Sequence, residues 1–84
     1  MKIHKLKLNL KFCDEVFYGE KSFEIRQNDR GFQTGDKIIF IPVDENGMEH
    51  THLPLSKKIY KITYILSGWG LKNGYVALAI KECE

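Results

Sequence analysis

Apolar residues recur at every second position along several stretches of this chain, and this period constrains the fold more than any other feature. From Lys5 to Phe12, three leucines and a phenylalanine alternate with three lysines and an asparagine. Successive side chains of a β-strand point to opposite faces, so this stretch predicts a strand with one apolar and one polar face. Apolar-rich or alternating runs predict further strands at Ser22 to Gln27, Ile38 to Val43, Lys57 to Leu66 and Tyr75 to Lys81.

Helix and turn signals lie between these runs. Cys13 to Gly19 has early acids, then apolar residues and a glycine, which predicts one or two helical turns. Asn46-Gly47 predicts a tight hairpin, with Met48 to Leu53 returning as a short second arm. Short strands and one brief helix in 84 residues indicate a single mainly β domain over residues 1–84. We expect a compact β-barrel, and the alternative is an open sheet with one helix.

Net charge, cysteine placement and hydropathy argue against a protein that coats nucleic acid, a disulfide-rich protein and a membrane-spanning protein. Thirteen basic against eleven acidic residues give a net charge of +2, so any contact with a polyanion must be a local patch. Cys13 and Cys83 form no CxxC pair, and we interpret them as unpaired thiols. The start of the chain lacks a secretory hydrophobic region, and the chain lacks an apolar membrane span. We therefore expect a cytoplasmic protein with no membrane partner.

Ionic and amide side chains are concentrated between Tyr18 and Arg30. If Ser22 to Gln27 is a strand, Glu24 and Arg26 lie side by side on one face. Lysine and arginine with an orienting carboxylate form a cationic pocket suited to a phosphate or a base edge. The alternative is a surface ion-pair strip, which is common and weakly stabilising. The candidate binding residues of this segment are Tyr18, Lys21, Glu24, Arg26, Asn28, Asp29 and Arg30.

Gly19, Lys21, Glu24 and Arg26 together match the GxKxxExR motif of the ASCH domain family, whose fold is PUA-like. The chain is also similar to the small bacterial and phage-associated branch of that family, in which the pattern EIRxNDRxFxxGD recurs; here it spans residues 24–36. The resemblance implies a PUA-type β-barrel with a cleft beside the motif that binds RNA or a nucleotide-like ligand. It places Lys21, Glu24 and Arg26 in the cleft, with Asp29 and Arg30 bracing its rim.

Some members of the broader family are amidohydrolases that act on acetylated cytidine, with a lysine and a threonine on one strand and a distant glutamate. Lys21 matches that lysine and is the candidate catalytic residue if this chain is an enzyme. Glu24 stands where the resemblance requires the threonine, and a carboxylate does not replace a hydroxyl nucleophile in acyl transfer. This departure favours binding over hydrolysis.

Histidine, lysine and aromatic patterns offer further candidate sites. His50 and His52 share a strand face but lack the further ligands of a zinc site, so we expect neither metal nor cofactor. Trp69, bracketed by glycines, is a candidate for stacking on an unpaired base, and Tyr18 and Phe32 are weaker ones. A basic stripe that follows a phosphate backbone is predicted on one strand, with a second group of lysines joining it if the strands are neighbours. The stripe comprises Lys5, Lys7 and Lys11, and the second group Lys57, Lys58 and Lys61.

The preferred hypothesis is a non-enzymatic domain that binds a single-stranded RNA or nucleotide in a cleft beside Gly19 to Arg30. Lys21 and Arg26 contact phosphate or base, and Trp69 or Tyr18 supplies stacking. The first alternative is an amidohydrolase acting on a small acylated nucleoside. The second is a phage or prophage module in which the charged segment contacts a protein partner.

Overall fold

The computed structural model describes residues 1–83 and contains five strands in one mixed sheet with a single α-helix. The strands are β1 (Ile3–Asn9), β2 (Phe23–Gln27), β3 (Lys37–Val43), β4 (Tyr60–Ser67) and β5 (Tyr75–Glu82). The helix is α1 (Leu10–Phe17), and a 3-10 turn covers Pro54–Lys57. The mainly β prediction with one short helix is confirmed. No helix in this part of the chain is long and apolar enough to cross a membrane.

The strand order is β1-β3-β4-β5-β2, which leaves β1 and β2 as the two edges of the sheet. β1 and β3 are parallel, and the other neighbours are antiparallel. The expected barrel is wrong because the sheet is not closed by pairing of β1 with β2; the alternative open sheet with a helix is correct. β3 pairs with β4 only at Lys37 with Lys61 and at Ile38 with Tyr60. Beyond these residues the two strands separate.

One apolar core lies between the inner face of the sheet, α1 and the 3-10 turn. Its largest fully buried side chains include Phe40, Leu6, Ile38 and Leu78. Cys13 and Val16 bring α1 onto this core, whereas Phe12 remains 39% exposed on the other side of the helix. Cys13 and Cys83 are both free thiols, as expected.

The change from strand to helix comes earlier than the period-two pattern predicts. β1 ends at Asn9, and Leu10 and Phe12 belong to α1. The Asn9 side chain accepts a hydrogen bond from the backbone N–H of Lys11 at 3.0 Å, which caps the helix. Leu10 continues the period-two pattern of β1, but it also fits the helical spacing of Leu10, Cys13 and Val16. The pattern therefore does not locate the boundary between strand and helix.

A β-bulge between Ile62 and Tyr64 changes which side chains of β4 face the core. The alternation predicts that Tyr64 lies on the same face as Tyr60 and Ile62. The extra residue reverses the phase, so Tyr64 is 62% exposed and Ile65 packs against the core. The return arm predicted after the Asn46-Gly47 turn is reduced to a single bridge between Val43 and Glu49.

Candidate functional site: a cleft between the sheet edges

The two edges of the sheet are linked by arginine side chains from the β2 segment. Arg26 Nη2 donates to the carbonyl oxygen of Lys7 at 2.6 Å, and Arg30 Nη1 donates to that of Lys5 at 3.1 Å. Both carbonyl groups belong to β1. The sheet therefore curls until its edges are within one arginine side chain of each other. The space left between them is a cleft.

This edge cleft has a volume of about 530 Å³ and is open to solvent. Sites of this size accept small molecules such as a nucleotide. Its walls combine apolar side chains with ionic groups from both edge strands and from the start of α1. The lining residues are Lys7, Leu8, Asn9, Phe12, Lys21, Phe23, Glu24, Ile25 and Arg26.

β2 turns its ionic face inward and its apolar face outward. Glu24 is 4% exposed, whereas Phe23 and Ile25 are 48% and 53% exposed. The predicted pairing of Glu24 with Arg26 on one face is confirmed. Burial of the carboxylate is tolerated because both of its oxygens accept hydrogen bonds from cations.

Glu24 lies between the two cations of the motif. Its Oε1 contacts Lys21 Nζ, and its Oε2 accepts a hydrogen bond from Arg26 Nε at 3.0 Å. The Lys21 and Arg26 side chains are partly exposed, whereas the Glu24 side chain is buried. These three groups carry a net charge of +1, and Lys7 adds a further positive charge to the lining of the cleft. The carboxylate therefore fixes the positions of two cations and leaves the cleft positively charged.

Aromatic rings surround the Lys21 ammonium group. It lies 5.3 Å from the ring centroid of Phe12 and 5.0 Å from that of Phe23, and it donates to the Phe23 carbonyl oxygen at 2.8 Å. Ammonium groups at these distances interact favourably with the ring faces. The cleft thus offers a held cation next to two exposed rings, which suits a ligand with both an anionic group and a flat ring.

The remaining residues predicted for the site have separate positions. Arg30 joins the edges, and Asn28 Oδ1 accepts a hydrogen bond from the backbone N–H of Phe32 at 3.0 Å, which shapes the turn after β2. Asp29 is exposed. Tyr18 is 72% exposed and borders a smaller pocket that also includes Lys21.

Trp69 and Phe32 are not brought to the edge cleft. Trp69 is 90% exposed in the loop between β4 and β5, at a positive φ of 52°. Phe32 is 4% exposed and packs against His4 with ring centroids 4.7 Å apart, so it cannot stack on a ligand. Phe12 and Phe23 line the cleft in place of the aromatic residues that were predicted to stack on a base. Phe23 lies within the GxKxxExR motif and Phe12 follows the end of β1, and these positions were the sequence features that could have indicated them.

A buried pair that the sequence pattern did not indicate joins β1 to the turn before β3. His4 Nε2 and Asp36 Oδ2 are 2.8 Å apart, and both side chains are almost fully buried. Asp36 also accepts hydrogen bonds from the backbone N–H groups of Lys2 and Gln33, both at 3.1 Å. The hydrogen bond from His4 and these backbone donors lower the pKa of Asp36 to about 2. These hydrogen bonds hold the start of β1 against the turn before β3.

The histidines of the 44–52 turn do not form a metal site in the described part of the chain. His50 Nε2 lies 3.0 Å from Asp44 Oδ2, and this hydrogen bond is the main reason that the pKa of Asp44 is lowered. His52 has its ring 5.8 Å from that of His50. Within residues 1–83, no group of three metal-binding side chains comes together.

The two lysine groups do not join, because the strands that carry them are not neighbours. β3 separates β1, which carries Lys5 and Lys7, from β4. Lys11 belongs to α1, so the predicted stripe does not continue along one strand. Lys58 pairs with Glu82 at 3.0 Å and lies 4.0 Å from the centroid of the Phe17 ring. Lys61 instead pairs in register with Lys37 and with Lys81.

The fold and the cleft define a small α+β protein whose curled mixed sheet holds an ionic and aromatic groove between its edges. The chain belongs to the family described as Domain of unknown function (DUF3850), whose model matches residues 3–80.

One curated relative is the uncharacterized 12.9 kDa protein in the GpA 3' region of Escherichia phage P2. It is 45% identical over 38 residues, which are 45% of this chain and 35% of that protein. The match therefore spans about a third of the length of the relative. Among solved structures, the fold is similar to that of the hypothetical protein PH0355, with a TM-score of 0.61 and 20% identity. That similarity covers 99% of this chain and 100% of the other.

Proposed function

We propose that this protein binds a single-stranded RNA or a nucleotide-like ligand in the edge cleft and does not transform it. The observation that carries the proposal is the convergence of Lys21, Glu24 and Arg26 in a cleft beside the exposed rings of Phe12 and Phe23. These three ionic residues belong to the motif shared with the ASCH domain family. That resemblance supports the same class of ligand.

The ionic groups retain donors for an anion. Lys21 directs hydrogen bonds to Glu24 and to the Phe23 carbonyl, and an ammonium group has three N–H donors. Arg26 uses Nε and Nη2, and Nη1 contacts no acceptor among the described residues. Each side chain therefore has a donor left for a phosphate oxygen or a base carbonyl while it remains paired with Glu24.

The aromatic residues give the cleft its selectivity for a ring. Phe12 and Phe23 are 39% and 48% exposed, so a base can cover apolar surface that otherwise faces water. Stacking of a base on an aromatic side chain contributes about 1 to 3 kcal/mol. A phosphate alone gains none of this stacking, and an uncharged base alone places no negative charge beside the two cations. The ligand that uses both is a nucleotide.

Hydrolysis of an acylated nucleoside is less well supported than binding. No serine, threonine, tyrosine or cysteine is among the described residues that line the edge cleft. Ser22 is exposed and borders the neighbouring pocket instead. The edge cleft therefore has no hydroxyl or thiol nucleophile for acyl transfer among its described side chains, and the Glu24 carboxylate does not replace one.

Titration of isotope-labelled protein with uridine and cytidine monophosphates, followed by backbone amide NMR shifts, tests the proposal. Saturating shifts at residues 21–26, Phe12 and Asn9 are expected, together with their loss in Lys21→Gln. Lys57→Gln is the matched control, because Lys57 is exposed in the 3-10 turn and does not border the cleft. Shifts located elsewhere, or equal binding by the two variants, would overturn the proposal. Acetylcytidine turnover that depends on Lys21 would establish the enzymatic alternative.

A further inference from the structure

Three lysines lie side by side across neighbouring strands on the outer face of the sheet. Lys37 of β3 pairs in register with Lys61 of β4, and Lys61 pairs in register with Lys81 of β5. Each alternates with buried residues of its strand, so all three side chains leave the same face of the sheet. We call Lys37, Lys61 and Lys81 the lysine row.

The lysine row is electrostatically unfavourable in the free protein. Directly opposed side chains on paired strands have Cβ atoms about 4.5 to 5.5 Å apart, and like charges at that distance destabilise the pairing. Within residues 1–83, none of the three ammonium groups forms an ion pair. Glu82 borders the same depression, but its carboxylate pairs with Lys58 at 3.0 Å. The charge of the row therefore remains available to an anion.

The shape of this surface suits an extended polyanion. Neighbouring strands are about 4.8 Å apart, so the row spans about 10 Å. It borders a shallow depression of about 510 Å³ that opens to solvent. A nucleic-acid chain presents more than one phosphate over this length. A single small anion could contact only part of the row.

The lysine row leads toward the edge cleft. Ser22 accepts a hydrogen bond at its carbonyl oxygen from the backbone N–H of Ile80 at 3.0 Å, which places the start of β2 beside the end of β5. Lys81 and Lys21 border the same pocket of about 290 Å³. A chain that lies along the row is thus directed to the lysine that lines the edge cleft.

We infer that the lysine row binds the phosphodiester backbone of a single-stranded nucleic acid, one nucleotide of which occupies the edge cleft. The inference rests on the proposed function for the identity of the ligand, because the cleft selects a nucleotide and the row supplies contacts to its neighbours. Backbone contacts position the chain and carry no sequence information. The row accordingly raises affinity for oligonucleotides over mononucleotides in a manner that depends on salt.

The decisive comparison uses the double variant Lys61→Gln/Lys81→Gln and a control, Lys57→Gln/Lys72→Gln, with the same change in net charge. All four lysines are exposed, and the control residues lie in the 3-10 turn and in the β4 to β5 loop. Binding of fluorescently labelled oligouridylate is measured by anisotropy over a series of salt concentrations. Each lost phosphate contact reduces the slope of log K against log salt by about 0.7, so the row variant is expected to lose about 1.4. The control is expected to keep the wild-type slope.

Uridine monophosphate binding, measured on the same proteins, separates the two proposals. If the row variant shows the reduced salt slope with oligouridylate and binds uridine monophosphate as tightly as wild type, both the row and the cleft are supported. If its salt slope is reduced but neither wild type nor the variants bind uridine monophosphate, the row is supported and the cleft proposal fails. Equal slopes in the row and control variants would overturn the lysine row, as would a wild-type protein that does not bind the oligonucleotide at low salt.

Discussion

Arg26 donates a 2.6 Å hydrogen bond to the carbonyl oxygen of Lys7 and, from its Nε, a 3.0 Å hydrogen bond to Glu24. One guanidinium group therefore joins opposite edges of the sheet and orients the buried carboxylate of the cleft. Its planar arrangement of donors allows both contacts at once, which a lysine at this position could not reproduce.

Arg26→Gln is expected to lower the free energy of unfolding by about 1 to 3 kcal/mol, because it removes charge-assisted hydrogen bonds from a partly buried side chain. Urea denaturation measures the loss. Arg30→Gln is the comparison, since Arg30 is exposed and makes a single contact at the rim. It should cost less than about 1 kcal/mol. Equal losses for the two variants would show that Arg26 has no special role in joining the edges.

Glu24→Gln is expected to destabilise the fold and strengthen anion binding. The amide keeps the size of the side chain but leaves Lys21 and Arg26 without their carboxylate, at a cost of about 3 to 5 kcal/mol. The net charge of the three groups rises from +1 to +2, so uridine monophosphate should bind more tightly. Urea denaturation and NMR titration measure the two effects. Glu45→Gln in the exposed turn provides the control, and weaker nucleotide binding by folded Glu24→Gln would contradict the prediction.

Acid should destabilise the protein through Asp36. Its pKa falls from 3.8 to about 2 on folding, so its stabilising contribution is complete above pH 3.8 and is lost as the pH falls toward 2. The shift corresponds to about 2 kcal/mol. Unfolding free energies measured between these pH values should therefore decline less in Asp36→Asn than in wild type. If the unfolding free energy of Asp36→Asn fell with pH as steeply as that of wild type, the decline would be due to other carboxyl groups.

Substitutions of Phe23 and Trp69 are expected to affect ligand binding differently. Phe23→Leu should weaken binding of uridine monophosphate by about 1 to 3 kcal/mol, because the ring lines the edge cleft. Trp69→Leu should leave the affinity unchanged, because Trp69 lies in the β4 to β5 loop and does not border the edge cleft. Calorimetric titration of both variants tests the pair. A larger loss in Trp69→Leu would place the stacking contact in the loop.

The sequence predicted the positions of the strands and of the motif better than it predicted which strand faces are buried and how the strands pack together. The inward side chains are apolar throughout β5 and from Leu6 onward in β1, so the pattern and the core agree there. His4 is the exception, because it is buried at the start of β1 and pairs with Asp36. In β2 the pattern shows two faces but does not tell which is buried. Glu24 faces inward because Lys21 and Arg26 satisfy its carboxylate, and that depends on contacts between residues that hydropathy does not encode.

The failure to predict an unclosed sheet has a related cause. Strand period does not specify whether the two edges pair through the backbone or through side chains. Here the contact depends on Arg26 and Arg30 reaching carbonyl groups 19 and 25 positions away in sequence. The bulge of β4 was equally hidden, because Tyr64 and Ile65 fit either phase of the alternation.

The short pairing of β3 with β4 divides the sheet into two halves. β1 and β3 form one half, and β4, β5 and β2 form the other. Two seams join them: the pairing at Lys37 and Ile38 on one side, and the arginine bridges on the other. The cleft lies along the second seam, so its width depends on the angle at which the halves meet at the first. A substitution at Ile38 or Tyr60 can therefore tune a binding site that neither residue touches.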